Sequence, residues 1–210
     1  MSVLTQVCVG GVVPVIVIDD LDRAPELGEA LKDGGLPVAE VTLRTDDALA
    51  ALTVLARDSD LLVGAGTVVR ADQVDAAHDA GARFVVTPGF SRPVVERCRE
   101  LDMPVVPGVA TATEVIAAVD SGFELLKFFP AEASGGLLML RALHSPFPQV
   151  RFIPTGGVSA ANAGAYLTLP GVAAVGGSWM ATPELVRAGD FESIARLAKE
   201  AVRIAREARL

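Results

Sequence analysis

Apolar and polar positions along the chain repeat one phrase. A short apolar, β-branched run leads to a loop with Gly, Thr or Pro, then to an amphipathic stretch ending at Gly or Asp. The phrase recurs eight times. It predicts strands at Val12–Ile18, Val38–Leu43, Leu61–Gly66, Phe84–Thr87, Val105–Val109, Leu125–Phe129, Phe152–Pro154 and Val172–Val175. Helices are predicted between them, among others at Ala24–Lys32, Ala71–Ala80, Arg92–Leu101, Thr113–Val119 and Leu137–Leu143. In the final helix Ile194, Leu197, Ala201, Ile204 and Ala208 recur at three- and four-residue steps, with Arg196, Lys199, Glu200, Arg203 and Glu207 on the other face.

Strands apolar on both sides and separated by helices belong to a parallel sheet covered on both faces. Eight such units without a reversal point predict an α/β fold, a single closed (β/α)8 TIM barrel over residues 1–210, small beside the roughly 250 residues typical of the class. A doubly wound open sheet is the alternative. No linker or composition shift marks a second domain.

Composition narrows the function classes. The 210 residues carry a net charge of −8 without a basic cluster, which speaks against nucleic acid, because counterion release needs a surface of several Lys or Arg. Phe152 to Pro183 is uncharged throughout, yet Pro154, Gly156, Gly157, Asn162, Pro170, Gly176 and Gly177 interrupt it as loops would, so no membrane span is expected. The apolar start from Val7 to Ile18 has no basic residue before it, the first being Arg23, and makes a poor signal peptide. Cys8 and Cys98 stand in no metal or redox spacing and read as reduced thiols. A cytoplasmic protein is expected.

Of 18 basic residues only three are lysines, Lys32, Lys127 and Lys199. Lys32 falls in the last turn of a helix and Lys199 on the polar face of the final one, both ordinary places for a cation. Lys127 lies in the strand Leu125-Leu126-Lys127-Phe128-Phe129-Pro130. An ammonium in such surroundings loses hydration, which favours the neutral amine that attacks a carbonyl; a buried structural ion pair is the other reading. In Val38-Ala39-Glu40-Val41-Thr42-Leu43-Arg44-Thr45, alternation puts Glu40, Thr42 and Arg44 on one face, inward in a barrel. Glu40 and Arg44 could simply pair with each other. With an amine beside them, the amine would be nucleophile, the carboxylate proton carrier and the guanidinium a fork for a substrate carboxylate.

Three strand ends combine Gly with a hydroxyl: Gly64-Ala65-Gly66-Thr67, Thr155-Gly156-Gly157 and Gly176-Gly177-Ser178. Glycine lets backbone N–H groups approach an anion, and a helix N-terminus behind adds positive potential. The last two loops follow strands seven and eight, where phosphate sites of these barrels recur, so phosphate is favoured over plain turns there. Val69 replaces the third glycine of a dinucleotide fingerprint, and His78 and His144 read as solvated or locally bonded.

Seven motifs in order resemble a known family. They are Val-Val-Pro-Val-Ile at 12–16, Glu-Val-Thr-Leu-Arg-Thr at 40–45, Gly-Ala-Gly-Thr at 64–67 and Thr-Pro-Gly at 87–89. Lys-Phe-Phe-Pro-Ala-Glu at 127–132, Pro-Thr-Gly-Gly-Val at 154–158 and Gly-Gly-Ser-Trp at 176–179 complete the set. From about Val12 to the final helix the chain resembles the 2-dehydro-3-deoxy-6-phosphogluconate (KDPG) and 4-hydroxy-2-oxoglutarate (KHG) aldolases. The resemblance implies a lyase that cleaves KDPG to pyruvate and glyceraldehyde 3-phosphate, with KHG as a further substrate. It implies Lys127 as the Schiff-base residue, Glu40 as the proton shuttle, and Arg44, Thr67 and Thr155 at the pyruvate end, with Pro88 and Phe129 lining the pocket. Gly156, Gly157, Gly177 and Ser178 would take the phosphate. It further implies a homotrimer, a small phosphorylated 2-keto acid as partner, and no need of a metal or cofactor. Related phosphogalactonate aldolases lack Arg at the position of Arg44 and differ at Thr155, so the chain looks like the gluconate type. A phosphosugar isomerase or epimerase with Glu40 as base, and a catalytically silent phosphosugar-binding barrel, are the rival readings. With a net charge of −8, an anionic substrate has to be recognised locally, by Arg44 at one end and glycine-loop amides at the other.

Overall fold

The computed structural model describes residues 1–209. The chain runs α1 (Val3–Val9), β1 (Val12–Ile16), α2 (Ala24–Asp33), β2 (Val38–Thr42), α3 (Ala48–Leu55), β3 (Leu62–Gly66), α4 (Ala71–Asp79), β4 (Val85–Val86) and α5 (Arg92–Glu100). It continues with β5 (Val105–Val106), β6 (Gly108–Val109), α6 (Ala112–Asp120), β7 (Leu125–Phe128), α7 (Gly136–His144) and β8 (Arg151–Pro154). The last elements are α8 (Ala163–Leu167), β9 (Val175–Gly177), α9 (Pro183–Ala188) and α10 (Phe191–Glu207).

Every ladder is parallel, but the ladders do not form the one closed eight-stranded TIM barrel that the count of eight predicts. They make a six-stranded sheet, ordered β5-β4-β3-β2-β1-β9, and a separate three-stranded sheet, β6-β7-β8. Two local features divide them. The single strand expected at Val105–Val109 is split at Pro107, which has no N–H to donate: Val105 and Val106 pair with β4, while Gly108 and Val109 pair with β7. On the far side the strand expected at Val172–Val175 forms instead at Val175–Gly177. There, among the described residues, two isolated bridges, Phe152↔Val172 and Thr155↔Gly176, take the place of a ladder.

Apolar side chains form two clusters because the strands are covered on both faces. Between strands and helices lie Val12, Ile16, Val41, Val63, Leu126, Phe128 and Phe152 with the helical stripes, and α10 turns Ile194, Ala198, Ala201 and Ala205 inward. Between the two sheets lie Val13, Val38, Phe84, Val86, Val106, Leu125 and Ile153. Helix α1, which no period in the sequence predicts, adds Val7 and Cys8 to that inner cluster and caps it from below. Its first turn is closed by Ser2, whose hydroxyl accepts from Thr5 N. Among the described residues no helix is long and apolar enough to cross a membrane.

Candidate active site

Residues from both sheets converge near the C-terminal ends of the strands. Glu40 on β2 is 3% exposed and Lys127 on β7 is 4% exposed. Lys127 Nζ donates to Glu40 Oε1 at 2.9 Å. The buried ion pair and the proposed nucleophile are thus the same side chain, and Lys127 is paired with Glu40 rather than Arg44 with Glu40. Register explains the placement: Glu40 lies opposite Val15 of β1 and Gly64 of β3, and Lys127 opposite Gly108 of β6 and Ile153 of β8. Val7, Val13, Val86, Val106, Ile153 and Thr155 enclose the small cavity beneath the pair. The Phe129 ring centroid is 5.2 Å from Lys127 Nζ, a second favourable contact for a cation.

The pair leaves no room on one side. A methyl group on Gly66, at the end of β3, would overlap the Glu40 carboxylate. Gly176 likewise faces the Thr155 hydroxyl, which is buried and donates to Ile153 O at 3.3 Å. Thr42 does not reach into the site: its hydroxyl donates to Ile16 O at 2.9 Å and ties β2 to β1.

Arg44 stands past the end of β2, exposed, and its Nε donates to Thr67 Oγ1 at 3.3 Å. Thr67 has φ of 60°, a left-handed conformation that costs a β-branched residue roughly 1–3 kcal/mol and is characteristic of functional sites. Pro88 is set by Thr87, whose hydroxyl donates to Gly89 O at 2.7 Å and accepts from Gly108 N at 3.0 Å. Gly108 is the β6 partner of Lys127, so this loop is tied to the strand beside the one that carries the amine. Thr155 N donates to Phe128 O at 2.9 Å, and Gly156 lies against the Phe129 ring. Gly177 and Ser178 join the group through Gly176, with Ser178 exposed at the rim. No helix begins directly at these glycines, contrary to expectation: α8 starts at Ala163 and α9 at Pro183.

Other candidate groups fall outside the site. Lys32 is bound by Glu29 at 2.9 Å and by Asp58. Burial raises both thiols, that of Cys98 to about 12, so neither is a ready nucleophile. His78 is exposed, whereas His144 is half-buried and packs edge-on against Phe152, with its Nδ1 buried and unpartnered. Among the described residues no group of three or more His, Cys, Asp or Glu could hold a metal ion. Sequence reasoning assigned no role to Gly66 or Thr42, or to Glu132 and Tyr166, which bond to each other beside Gly157. Glu132 ends the motif that supplies Lys127, whereas nothing in the sequence sets Tyr166 apart.

A buried amine within reach of a buried carboxylate, at the mouth of parallel strands and ringed by glycine loops, is the equipment of a lysine-dependent aldolase. A family model for KDPG and KHG aldolase matches residues 3–197, so the match takes in α1. The KHG/KDPG aldolase of Escherichia coli is 44% identical over 202 residues, 96% of this chain and 93% of that protein. A KDPG aldolase from Legionella pneumophila, solved with pyruvate captured as a covalent carbinolamine, superposes with a TM-score of 0.92 at 41% identity, covering 96% of this chain and 98% of that one. The Zymomonas mobilis 2-keto-3-deoxy-6-phosphogluconate aldolase, solved with 3-phosphoglycerate, gives 0.88 at 41% identity over 95% and 94% of the two chains. The chain belongs to the KDPG and KHG aldolase family.

Proposed function

We propose that this protein cleaves 2-dehydro-3-deoxy-6-phosphogluconate to pyruvate and glyceraldehyde 3-phosphate through a Schiff base on Lys127, and accepts 4-hydroxy-2-oxoglutarate as a second substrate. The observation that carries this reading is the 2.9 Å contact between Lys127 Nζ and Glu40 Oε1 in a buried, largely apolar setting. Proton transfer to Glu40 frees the amine, which adds to the substrate ketone. Glu40 then returns protons to the carbinolamine oxygen, water leaves, and an iminium forms. As the hydroxyl on carbon four loses its proton, the iminium takes up the electron pair of the bond between carbons three and four. Glyceraldehyde 3-phosphate departs, and the remaining enamine is protonated at carbon three and hydrolysed to pyruvate and free amine.

Arg44, Thr67 and Thr155 hold the substrate carboxylate in this scheme, and Pro88 and Phe129 line the reacting carbons. Gly156, Gly157, Gly177 and Ser178 receive the phosphate. The Arg44–Thr67 hydrogen bond and the left-handed Thr67 backbone support the first assignment. The covalent pyruvate in the Legionella enzyme and the phosphoglycerate in the Zymomonas enzyme support the two ends. A cytoplasmic homotrimer belongs to the same reading. Ile116 and Leu138, 49% and 80% exposed on consecutive helices, support an assembly, and sedimentation of the protein checks it.

Borohydride reduction in the presence of pyruvate, followed by peptide mapping, tests the mechanism. A single adduct on Lys127 is expected, absent from Lys127→Ala, which keeps its circular dichroism but loses cleavage. An adduct on Lys32 or Lys199, or none, refutes the assignment.

A further inference from the structure

The motif that supplies Lys127 ends on Glu132, a residue with no part in the chemistry above. The segment between them turns through the cis Phe129–Pro130 peptide and runs along the loop after β8. Ala131 N donates to Thr155 O at 2.8 Å, and Glu132 N to Gly156 O at 3.0 Å. The Glu132 side chain then lies flat on Gly157. That glycine has φ of +78°, and a methyl group there would overlap Glu132 Cβ and Cγ. The carboxylate is fixed from the far side by the Tyr166 hydroxyl, which donates to Glu132 Oε1. Tyr166 on α8 is fully buried, and burial, followed by the carboxylate beside it, raises its phenol above the ordinary range, so the donor proton stays in place. Asn162, just before α8, holds the same loop from another direction, with Nδ2 donating to Gly157 O at 3.1 Å and Oδ1 accepting from Ser159 N at 2.8 Å.

A carboxylate beside a loop meant for phosphate is electrostatically unfavourable unless it serves another purpose. Here it has a partner in the core, an aliphatic stem against the loop and a backbone bond to it. We infer that Glu132 and Tyr166 are positioning residues for the phosphate end of the substrate, coupling the backbone of Gly156–Gly157 to the strand that carries Lys127. They touch no reacting atom. Their effect is to hold amides of the loop in one arrangement before the anion arrives, so that binding does not have to order a glycine pair with wide conformational freedom. The coupling serves only a substrate that carries phosphate, and it rests on the functional reading above.

Steady-state kinetics of Tyr166→Phe on both substrates provide the test. Phe keeps the buried ring and removes one hydrogen bond, so the KM for KDPG is expected to rise about five- to tenfold, the upper part of the range for one ordinary hydrogen bond. Its kcat should be unchanged, as should kcat/KM for the unphosphorylated 4-hydroxy-2-oxoglutarate. Glu132→Ala should behave alike, while Glu132→Gln, which keeps an acceptor and the stem, should restore the KM. A parallel loss on both substrates, a fall in kcat, or no change in selectivity overturns the inference. Borohydride trapping of pyruvate by the parent protein separates the two levels. If the adduct forms on Lys127 and selectivity does not move, this inference alone fails; if no adduct forms, the functional reading fails with it.

Discussion

Glu40 and Lys127 meet in a buried contact, which spares the several kcal/mol that burying either charge without a partner would cost. The pair also needs room. Gly66 looks like a turn glycine until the Glu40 carboxylate is seen in the space of its missing side chain. Gly66→Ala is therefore expected to swing the carboxylate away from Lys127 and lower kcat for cleavage by about a hundredfold, as displacements near 1 Å do. A stopped assay with the phosphorylated substrate checks this, and an unchanged kcat would mean that Glu40 acts from another position. Glu40 and Lys127 were legible as charges in apolar strands, but Tyr166 was not: it is one buried residue of a five-residue helix, and only the partner of its hydroxyl distinguishes it from a packing residue.

Helices were legible where an amphipathic period runs for two turns or more, and some of them also carry chemical caps. Thr111 and Glu114 form a reciprocal cap on α6, with Glu114 N bonded to Thr111 Oγ1 at 3.3 Å and Thr111 N to Glu114 Oε2 at 2.9 Å. Asp190 caps α10 by accepting from Ser193 N at 3.1 Å, and the Ser193 hydroxyl, followed by this backbone N–H, holds its carboxyl below the ordinary 3.8. A depressed folded-state value gives stability that is complete above the unfolded value and lost as the pH falls through the folded one. Asp190→Asn, still able to cap, should thus lower stability near neutrality slightly and reduce its decline below pH 3.8. Urea melts at pH 7 and pH 3 would show the two curves converging in acid; parallel curves would contradict it. Strand ends were less legible. Pro107 divides one apolar run between two partners, and the run at Val172–Val175 contributes mostly to an approach rather than a ladder. Helix α1 escaped because it is too short to show a period, although it supplies Val7 to the floor of the site.

For the whole molecule, the pattern of parallel units was legible, but sheet closure was not. Closure depends on hydrogen-bond register at two places, and apolar patterning does not encode register between parallel strands buried on both faces. The difference is open to measurement. The amides of Phe152 and Ala173, which bond to Gly171 O and Phe152 O at the sparsely bridged side, are expected to exchange with solvent faster than Val41 and Ala39 within the continuous β1-β2-β3 ladders. Equal protection at both places would show that the two sheets open as one unit.

The division between the sheets also separates the reacting groups. Glu40 stands on the six-stranded sheet and Lys127 on the three-stranded one, so their contact is a clasp between two leaves. A slide of one leaf past the other by about half an ångström is as large as the tolerance within which catalytic groups must be held. Reactivity here therefore depends on how well two leaves stay shut. Changes in the seams, far from any substrate atom, are places where this enzyme's rate and its temperature dependence can be tuned without touching the chemistry itself.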